Sequence, residues 1–289
     1  MSGTIREFAP AKVNLALHVL GRRADGYHEL DSIVAFAGVG DWLEVGPCRE
    51  ASAAPVTMQV AGSFATQLPP STDNIVARAH GAVAGWALEM GLTLSPVRVA
   101  LDKNLPVSSG IGGGSADAAA MLRACFKLLG KSPAPDEATE LALALGADVP
   151  VCLTGKASRM RGVGERLTPL PAFKPLHAVL VNPGVAVPTA EIFRAMGIAQ
   201  GATHRAAITE SQSIATWRND MMDAAIAIAP GIAIVLHELN RQPSIITARM
   251  SGSGATCFGI FETATAAQEA AKVISAAQPA WWCVATLLQ

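Results

Sequence analysis

Residues 106–116 read Pro106-Val107-Ser108-Ser109-Gly110-Ile111-Gly112-Gly113-Gly114-Ser115-Ala116, and an Ala/Leu-rich helical pattern follows at once. Glycines carry no Cβ, so a run of them leaves backbone N–H groups uncovered. Ser115 is placed as the N-cap of the helix that continues Ala116-Asp117-Ala118-Ala119-Ala120-Met121-Leu122. Uncovered N–H groups and the positive end of a helix dipole then point the same way, which makes a phosphate site. The plain alternative is a flexible linker, but Gly/Ser linkers are longer and do not run straight into a helix. Upstream, residues 97–101 alternate as a strand, and strand, glycine loop, helix is the context a phosphate loop needs.

The loop matches neither of the two commonest phosphate motifs. A Walker A loop ends in Gly-Lys-Ser/Thr, whereas Ser-Ala-Asp follows the glycines here. A dinucleotide fingerprint needs a glycine where Ser115 stands, and the protein-kinase triplets His-Arg-Asp and Asp-Phe-Gly do not occur. The loop holds no lysine to meet a terminal phosphate, so the positive charge has to come from elsewhere in the chain.

The 289 residues suffice for one large or two moderate domains, and with 51% hydrophobic and 16% charged residues a substantial core is available. A net charge of −1 argues against a general nucleic-acid surface. The longest apolar candidate, 224–236, is broken by Pro230-Gly231, so no membrane span is expected. The N-terminus shows no apolar signal region, and the five scattered cysteines form no Cys-x-x-Cys. A reduced cytoplasmic setting without structural zinc is the expectation.

The first half is strand-rich, with strands expected at 5–20, 33–45 and 56–60, a polar loop over 22–30, and a helix at 74–90 stopped by Gly91. A further helix opens at Pro135 with acids in its first turn and ends at Gly146. Residues 159–170 read as a hairpin, and the Pro-rich stretch 169–175 as the domain boundary. Beyond it come a strand at 177–181 and helices at 189–196, 221–229 and 231–240. A glycine turn at 251–254, a strand at 255–261, a helix at 265–277 and a strand at 281–287 close the chain. The strands do not alternate simply with helices, which favours α+β over a doubly wound sheet.

Several residues outside the loop could carry chemistry, and each has a plainer reading. Lys12, inside an apolar strand, either meets an anion or guards a sheet edge. Asp148 beside Pro150 is either a catalytic carboxylate or a turn residue. Asp117 either favours the helix dipole or binds phosphates through a metal. The loop Arg22-Arg23-Ala24-Asp25-Gly26-Tyr27-His28 holds the chain's single tyrosine next to an imidazole, a pair suited to a heterocycle or simply a surface turn. Ser251-Gly252-Ser253-Gly254 is either a hairpin turn or a second backbone surface facing the first glycine loop.

Taken together, Pro10-Ala11-Lys12-Val13-Asn14-Leu15, the loop 106–116 and Ser251-Gly252-Ser253-Gly254-Ala255 resemble the three signatures of the GHMP small-molecule kinase superfamily, in the same order. Arg23 to Leu30, Gly146-Ala147-Asp148-Val149-Pro150 and Gly162-Val163-Gly164-Glu165 resemble its branch that acts on a cytidyl-linked alcohol. Ser108, Ser109 and Ile111 depart from the residues that branch leads one to expect.

The resemblance implies an α+β two-domain fold: a domain like ribosomal protein S5 domain 2 over 1–172 and a ferredoxin-like domain over 173–289. It implies ATP phosphates on Pro106 to Ala116, Asp148 as catalytic base and Lys12 as its partner. Tyr27 and Phe193 sandwich a cytosine, His28 reads the polar edge of that base, and Asn14 contacts the substrate. Mg²⁺ is implied with ATP, and Ser115 and Asp117 are both open as ligands. The activity implied is transfer of the ATP γ-phosphate to the 2-hydroxyl of 4-diphosphocytidyl-2-C-methyl-D-erythritol, in the non-mevalonate route to isoprenoid precursors. The small-molecule cytidyl diphosphate is the expected partner, with neither nucleic acid nor membrane, and the chain is expected as a monomer or weak homodimer. The alternatives are a homoserine- or mevalonate-type kinase of the same family and a non-catalytic nucleotide sensor.

Overall fold

The computed structural model describes residues 3–48, 54–68, 74–209 and 212–289. In chain order its first part holds β1 (Ile5–Arg22), β2 (His28–Pro47), β3 (Val56–Ala61), α1 (Ile75–Glu89), β4 (Val97–Asp102), α2 (Gly113–Leu129), α3 (Pro135–Leu143) and α4 (Val149–Thr154). The remainder holds β5 (Ser158–Gly162), β6 (Arg166–Pro169), β7 (Leu176–Asn182), α5 (Thr189–Met196), α6 (Met222–Ile228), α7 (Gly231–Asn240), β8 (Ile245–Met250), β9 (Cys257–Phe261), α8 (Ala264–Ala277) and β10 (Trp282–Leu288).

Packing divides the chain into two compact units that interleave in sequence. The first comprises Met1–Ala11, Val39–Val107 and Gly112–Gly155; the second comprises Lys12–Gly38, Ser108–Ile111 and Lys156–Gln289. Both long N-terminal strands therefore contribute to each unit, and the glycine loop changes unit twice.

In the first unit, β4 pairs parallel with β3 and antiparallel with the C-terminal half of β2. Its alternate residues Val97, Val99 and Leu101 are buried, as a sheet covered on one face requires. The buried stripe of α1 is Val76, Ala79, Val83 and Trp86, and the many alanines of α2 allow close helix approach. Trp86 meets Phe126 edge-on at 6.0 Å. The α1 start follows its sequence signal, because the Asn74 side chain accepts from the Val76 amide at 2.9 Å.

The helix α4 lies outside the sequence expectations. Six residues show no period, and Pro150 suggests a stop; it sits instead in the first turn, where its missing N–H is not needed.

The second unit has the antiparallel order β10-β7-β9-β8, and Leu288 of β10 pairs with Ala37 on the N-terminal half of β2. The β5–β6 hairpin extends that half of β2 from Leu30↔Gly162. Helices α5 to α8 surround a core of Val179, Val181, Ile192, Ile232, Val235, Leu239, Phe261 and Ile274. Each fully buried Val, Leu or Ile of this kind contributes about 1.5–3 kcal/mol. Mixed pairing with helices segregated from the strands makes this an α+β fold, as the strand order in the sequence implies.

Candidate functional site

The glycine loop is held differently at its middle and at its two ends. In the middle, the second unit fixes it by backbone contacts. The Lys12 amide donates to the Ile111 carbonyl at 2.9 Å, and the Thr256 amide to the Ser109 carbonyl at 3.1 Å. The Ser251 hydroxyl accepts from the Asn14 amide and donates to the Gly110 carbonyl, both at 3.0 Å. The turn 251–254 therefore fulfils both of its sequence readings. It is the hairpin between β8 and β9, and it also lies against the loop.

Two glycines are required by that contact. A Cβ on Gly110 would stand 2.5 Å from the Ser251 carbonyl oxygen, and one on Gly252 would stand 2.6 Å from that of Gly110. Asn219 locks the turn from behind by donating to the Met250 and Gly252 carbonyls, each at 2.8 Å. Ser108 takes a left-handed φ of 52°, which costs a non-glycine residue about 1 kcal/mol.

The helix after the loop begins earlier than the sequence suggests. Gly112, at φ 64°, is the residue before α2, and no side chain caps the helix. Ser115 is therefore not the N-cap but a half-buried member of the first turn. The reason is steric: a left-handed Gly112 lets the chain enter the helix three residues sooner than a cap at Ser115 would. The first-turn amides of Gly113, Gly114 and Ser115 precede the repeating i→i−4 pattern and carry the positive end of the dipole.

At its ends the loop meets a buried ion cluster in the first unit that the sequence reading missed. Lys103, 2% exposed, donates to Asp41 at 2.5 Å and to Asp117 at 2.7 Å. The other oxygen of Asp41 accepts from the Asn104 and Leu105 amides at 2.6 and 2.8 Å. The second oxygen of Asp117 is buried and has no hydrogen-bond partner. Burial pushes the Asp117 carboxyl up to about 8 against the pull of Lys103, with Asp41 adding to the rise. Burial alone would lower the Lys103 ammonium, but Asp117 and Asp41 together outweigh it and raise it. One ammonium balances one carboxylate, so the second carboxyl keeps its proton.

Asp117 is consequently not available as the metal ligand that its position in the sequence allowed. Its carboxyl faces Lys103 rather than the loop surface. The one available signal for this cluster was a lysine at a strand end three residues before the loop, and that carries little information without burial.

The remaining predicted residues fall into the two units separately. Lys12 and Asn14 lie in the second unit on the same face of β1, both buried, with Lys12 3% exposed. The Asn14 side chain donates to the Ser32 hydroxyl at 2.8 Å, and its amide oxygen is buried without a hydrogen-bond partner. Asp148 lies in the first unit, immediately before α4, and its side chain makes no capping bond to that helix. By its place, where the chain enters α4, Asp148 fits the turn-residue reading.

Tyr27 follows a tight turn at Gly26 and is 65% exposed. The ring stacked on Phe193 is that of His28, with centroids 4.0 Å apart and planes 14° apart. Burial, then the charge of Arg22, lowers the His28 imidazole below its ordinary value, so the ring is neutral near pH 7. Its Nε2 is buried with no hydrogen-bond partner.

A cradle of backbone amides at a helix start, with a second glycine turn packed on its middle, fits the class of small-molecule phosphotransferases. The chain belongs to the GHMP kinases: the GHMP kinases N terminal domain matches residues 74–156 and the GHMP kinases C terminal domain matches residues 202–280. Within that family, two of its relatives share one particular name. It is 45% identical to the 4-diphosphocytidyl-2-C-methyl-D-erythritol kinase of Dinoroseobacter shibae, across 100% of this chain and 96% of the relative. It is 48% identical to the enzyme of the same name from Cereibacter sphaeroides, across 95% and 96%. A crystal structure of 4-(cytidine 5'-diphospho)-2C-methyl-D-erythritol kinase superposes with a TM-score of 0.76 at 31% identity, covering 98% of this chain and 99% of that one. A homoserine kinase from Cytophaga hutchinsonii superposes at 0.71 but is 18% identical, which shows a shared fold alone.

Proposed function

We infer that this chain is an ATP-dependent kinase that phosphorylates the 2-hydroxyl of 4-diphosphocytidyl-2-C-methyl-D-erythritol, yielding the 2-phosphate and ADP. The observation that carries this reading is near-full-length identity of 45–48% to enzymes bearing that substrate's name. The ATP phosphates lie on Pro106 to Ala116, where glycine backbone and helix dipole favour an anion. Asp148 accepts the hydroxyl proton as attack proceeds, and Lys12 offsets charge on the moving phosphoryl group. The cation absent from the loop is thus supplied from β1.

Asn14, with an unpartnered oxygen, orients the attacking alcohol. Tyr27 and Phe193 hold the cytosine, and His28 Nε2 reads its polar edge. Phe193 already carries His28 on one face, so that clamp requires the imidazole to share the ring with the base. A neutral imidazole keeps one donor and one acceptor, which suits a pyrimidine edge.

The donor set fits one magnesium ion only thinly. The described residues hold no group of three His, Cys, Asp or Glu side chains able to bind a metal, and Asp117 is turned to Lys103. Ser115 would hold the ion together with phosphate oxygens, and bound Mg²⁺ would neutralise triphosphate charge. Residues 1–172 act as the ATP and catalytic part and 173–289 as the substrate part. Five free thiols suit a reducing cytoplasm. No helix among the described residues is long and apolar enough to cross a membrane.

The test is ATP consumption with the cytidyl substrate, in competition with homoserine and mevalonate, and with the phosphorylated oxygen located by NMR. Turnover of homoserine alone would overturn the assignment. ATP binding without any turnover would instead support the nucleotide-sensor reading.

A further inference from the structure

Lys103 and Asp117 join the two ends of the glycine loop to each other. The entry side is held by Asp41, which accepts from Asn104 and Leu105 and from the Lys103 ammonium. The exit side is held through Asp117, one turn inside α2, which accepts from the same ammonium. Gly113 lies over the cluster: a Cβ there would stand 3.2 Å from the Lys103 nitrogen and 3.7 Å from an Asp41 oxygen. A side chain at residue 113 would therefore press on the Lys103 ammonium and shift it by a few tenths of an ångström. Strand end and helix start become two fixed posts, and the loop spans the gap between them.

We propose that Lys103 and Asp117 are positioning residues for the phosphate donor: the buried hydrogen bond between them sets the spacing between strand β4 and helix α2, and so aims the first-turn amides at the ATP phosphates. Neither side chain touches the nucleotide in this role. Amide donors bind a phosphate well only when their geometry is built in advance, because a misplacement near 1 Å can cost about a hundredfold. An exposed contact could not impose such spacing, whereas this one is buried, and Asp41 ties its lysine to the Asn104 and Leu105 amides. The inference rests on the reading that ATP phosphates lie on 106–116.

The decisive variant is Asp117→Leu. It cuts the tie to the helix and leaves Lys103 and Asp41 as a balanced pair. Removing one partner of a buried pair is costly when it strands a charge, but here Asp41 still balances the Lys103 ammonium, so the melting temperature should change little. The KM for ATP should rise about tenfold or more, while the KM for the cytidyl alcohol changes by less than about threefold. Asp117→Asn restores an acceptor for Lys103 and should return most of the lost ATP affinity. If Asp117→Leu fails to fold, Asp117→Ala makes the same cut with less volume.

Calorimetric ATP binding to the wild-type chain, without the alcohol, separates the two levels. If the wild type binds no ATP, the loop assignment and this inference fall together. If the wild type binds ATP and the folded Leu or Ala variant binds it equally, only this inference falls. Equal rises in both KM values would also overturn it, because a general loosening spares neither substrate.

Discussion

The buried cluster of the first unit and the His28–Phe193 region of the second treat polar groups in opposite ways. Around Lys103, hydrogen bonds run to both carboxylates and on to two backbone amides, and the lysine is 2% exposed. Around His28, Tyr27 stands 65% exposed and the imidazole Nε2 lacks a hydrogen-bond partner. A densely bonded buried cluster holds one geometry even with one Asp117 oxygen left over, whereas an exposed ring beside an unmet nitrogen leaves binding capacity open. On the reading that ATP phosphates lie on 106–116, the loop is thus braced before the donor arrives. The region proposed for the cytidine, where one branch differs from the rest, is left open.

Four substitutions can break or sharpen that contrast. The largest effect belongs to Asp148→Asn, which should lower kcat by about 10²–10⁴ while ATP affinity, set by the braced loop, stays nearly intact. Single-turnover kinetics with calorimetry would show this, and an unchanged kcat would remove Asp148 as the base. Lys12→Ala should follow, with a loss in kcat of about a hundredfold and a smaller change in either KM; a purely structural lysine would show a melting shift alone.

Tyr27→Ala tests the open region. Stacking on a base contributes about 1–3 kcal/mol, so the KM for the cytidyl substrate should rise about tenfold with that for ATP unmoved. An equal loss for both substrates would contradict the contrast drawn here.

The smallest effect is a pH slope in the buried cluster. Folded Asp117 keeps its proton up to about pH 8, whereas the unfolded carboxyl releases it near 3.8. The native state therefore binds more protons across that window, and this contribution to stability falls as pH rises through it. Thermal melts should accordingly shift in favour of Asp117→Asn as pH is raised from about 5 to about 8. A constant gap between variant and wild type would show that Asp117 is ionised throughout.

Much of the fold is legible because its signals are local. Asn74 announces α1, the alternation Val97-Arg98-Val99-Ala100-Leu101 announces β4, and Gly130 at φ 65° ends α2 as glycine does. The short helix α4 is not, since six residues present no period and the proline within it points the other way. At the candidate site, the loop and the turn 251–254 are legible as glycine-rich segments. Their contact is not, because Ser251 and Gly110 are 141 residues apart. Gly112 in place of Ser115 before α2 is a nearer miss: serine is the better cap by propensity, but only glycine takes the left-handed entry that the loop uses.

By itself, the order of residues determined that a glycine loop precedes a helix, that the loop holds no lysine of its own, and that a tyrosine stands next to a histidine in a polar loop. Those statements depend on backbone freedom, period and residue type, which neighbours in sequence settle. Only the tertiary structure decided which charged groups are buried together. Lys103, Asp41 and Asp117 look like ordinary polar positions until packing removes water from all three. Desolvation then forces them to pair, so Asp117, for which the sequence left a metal open, accepts from Lys103 instead.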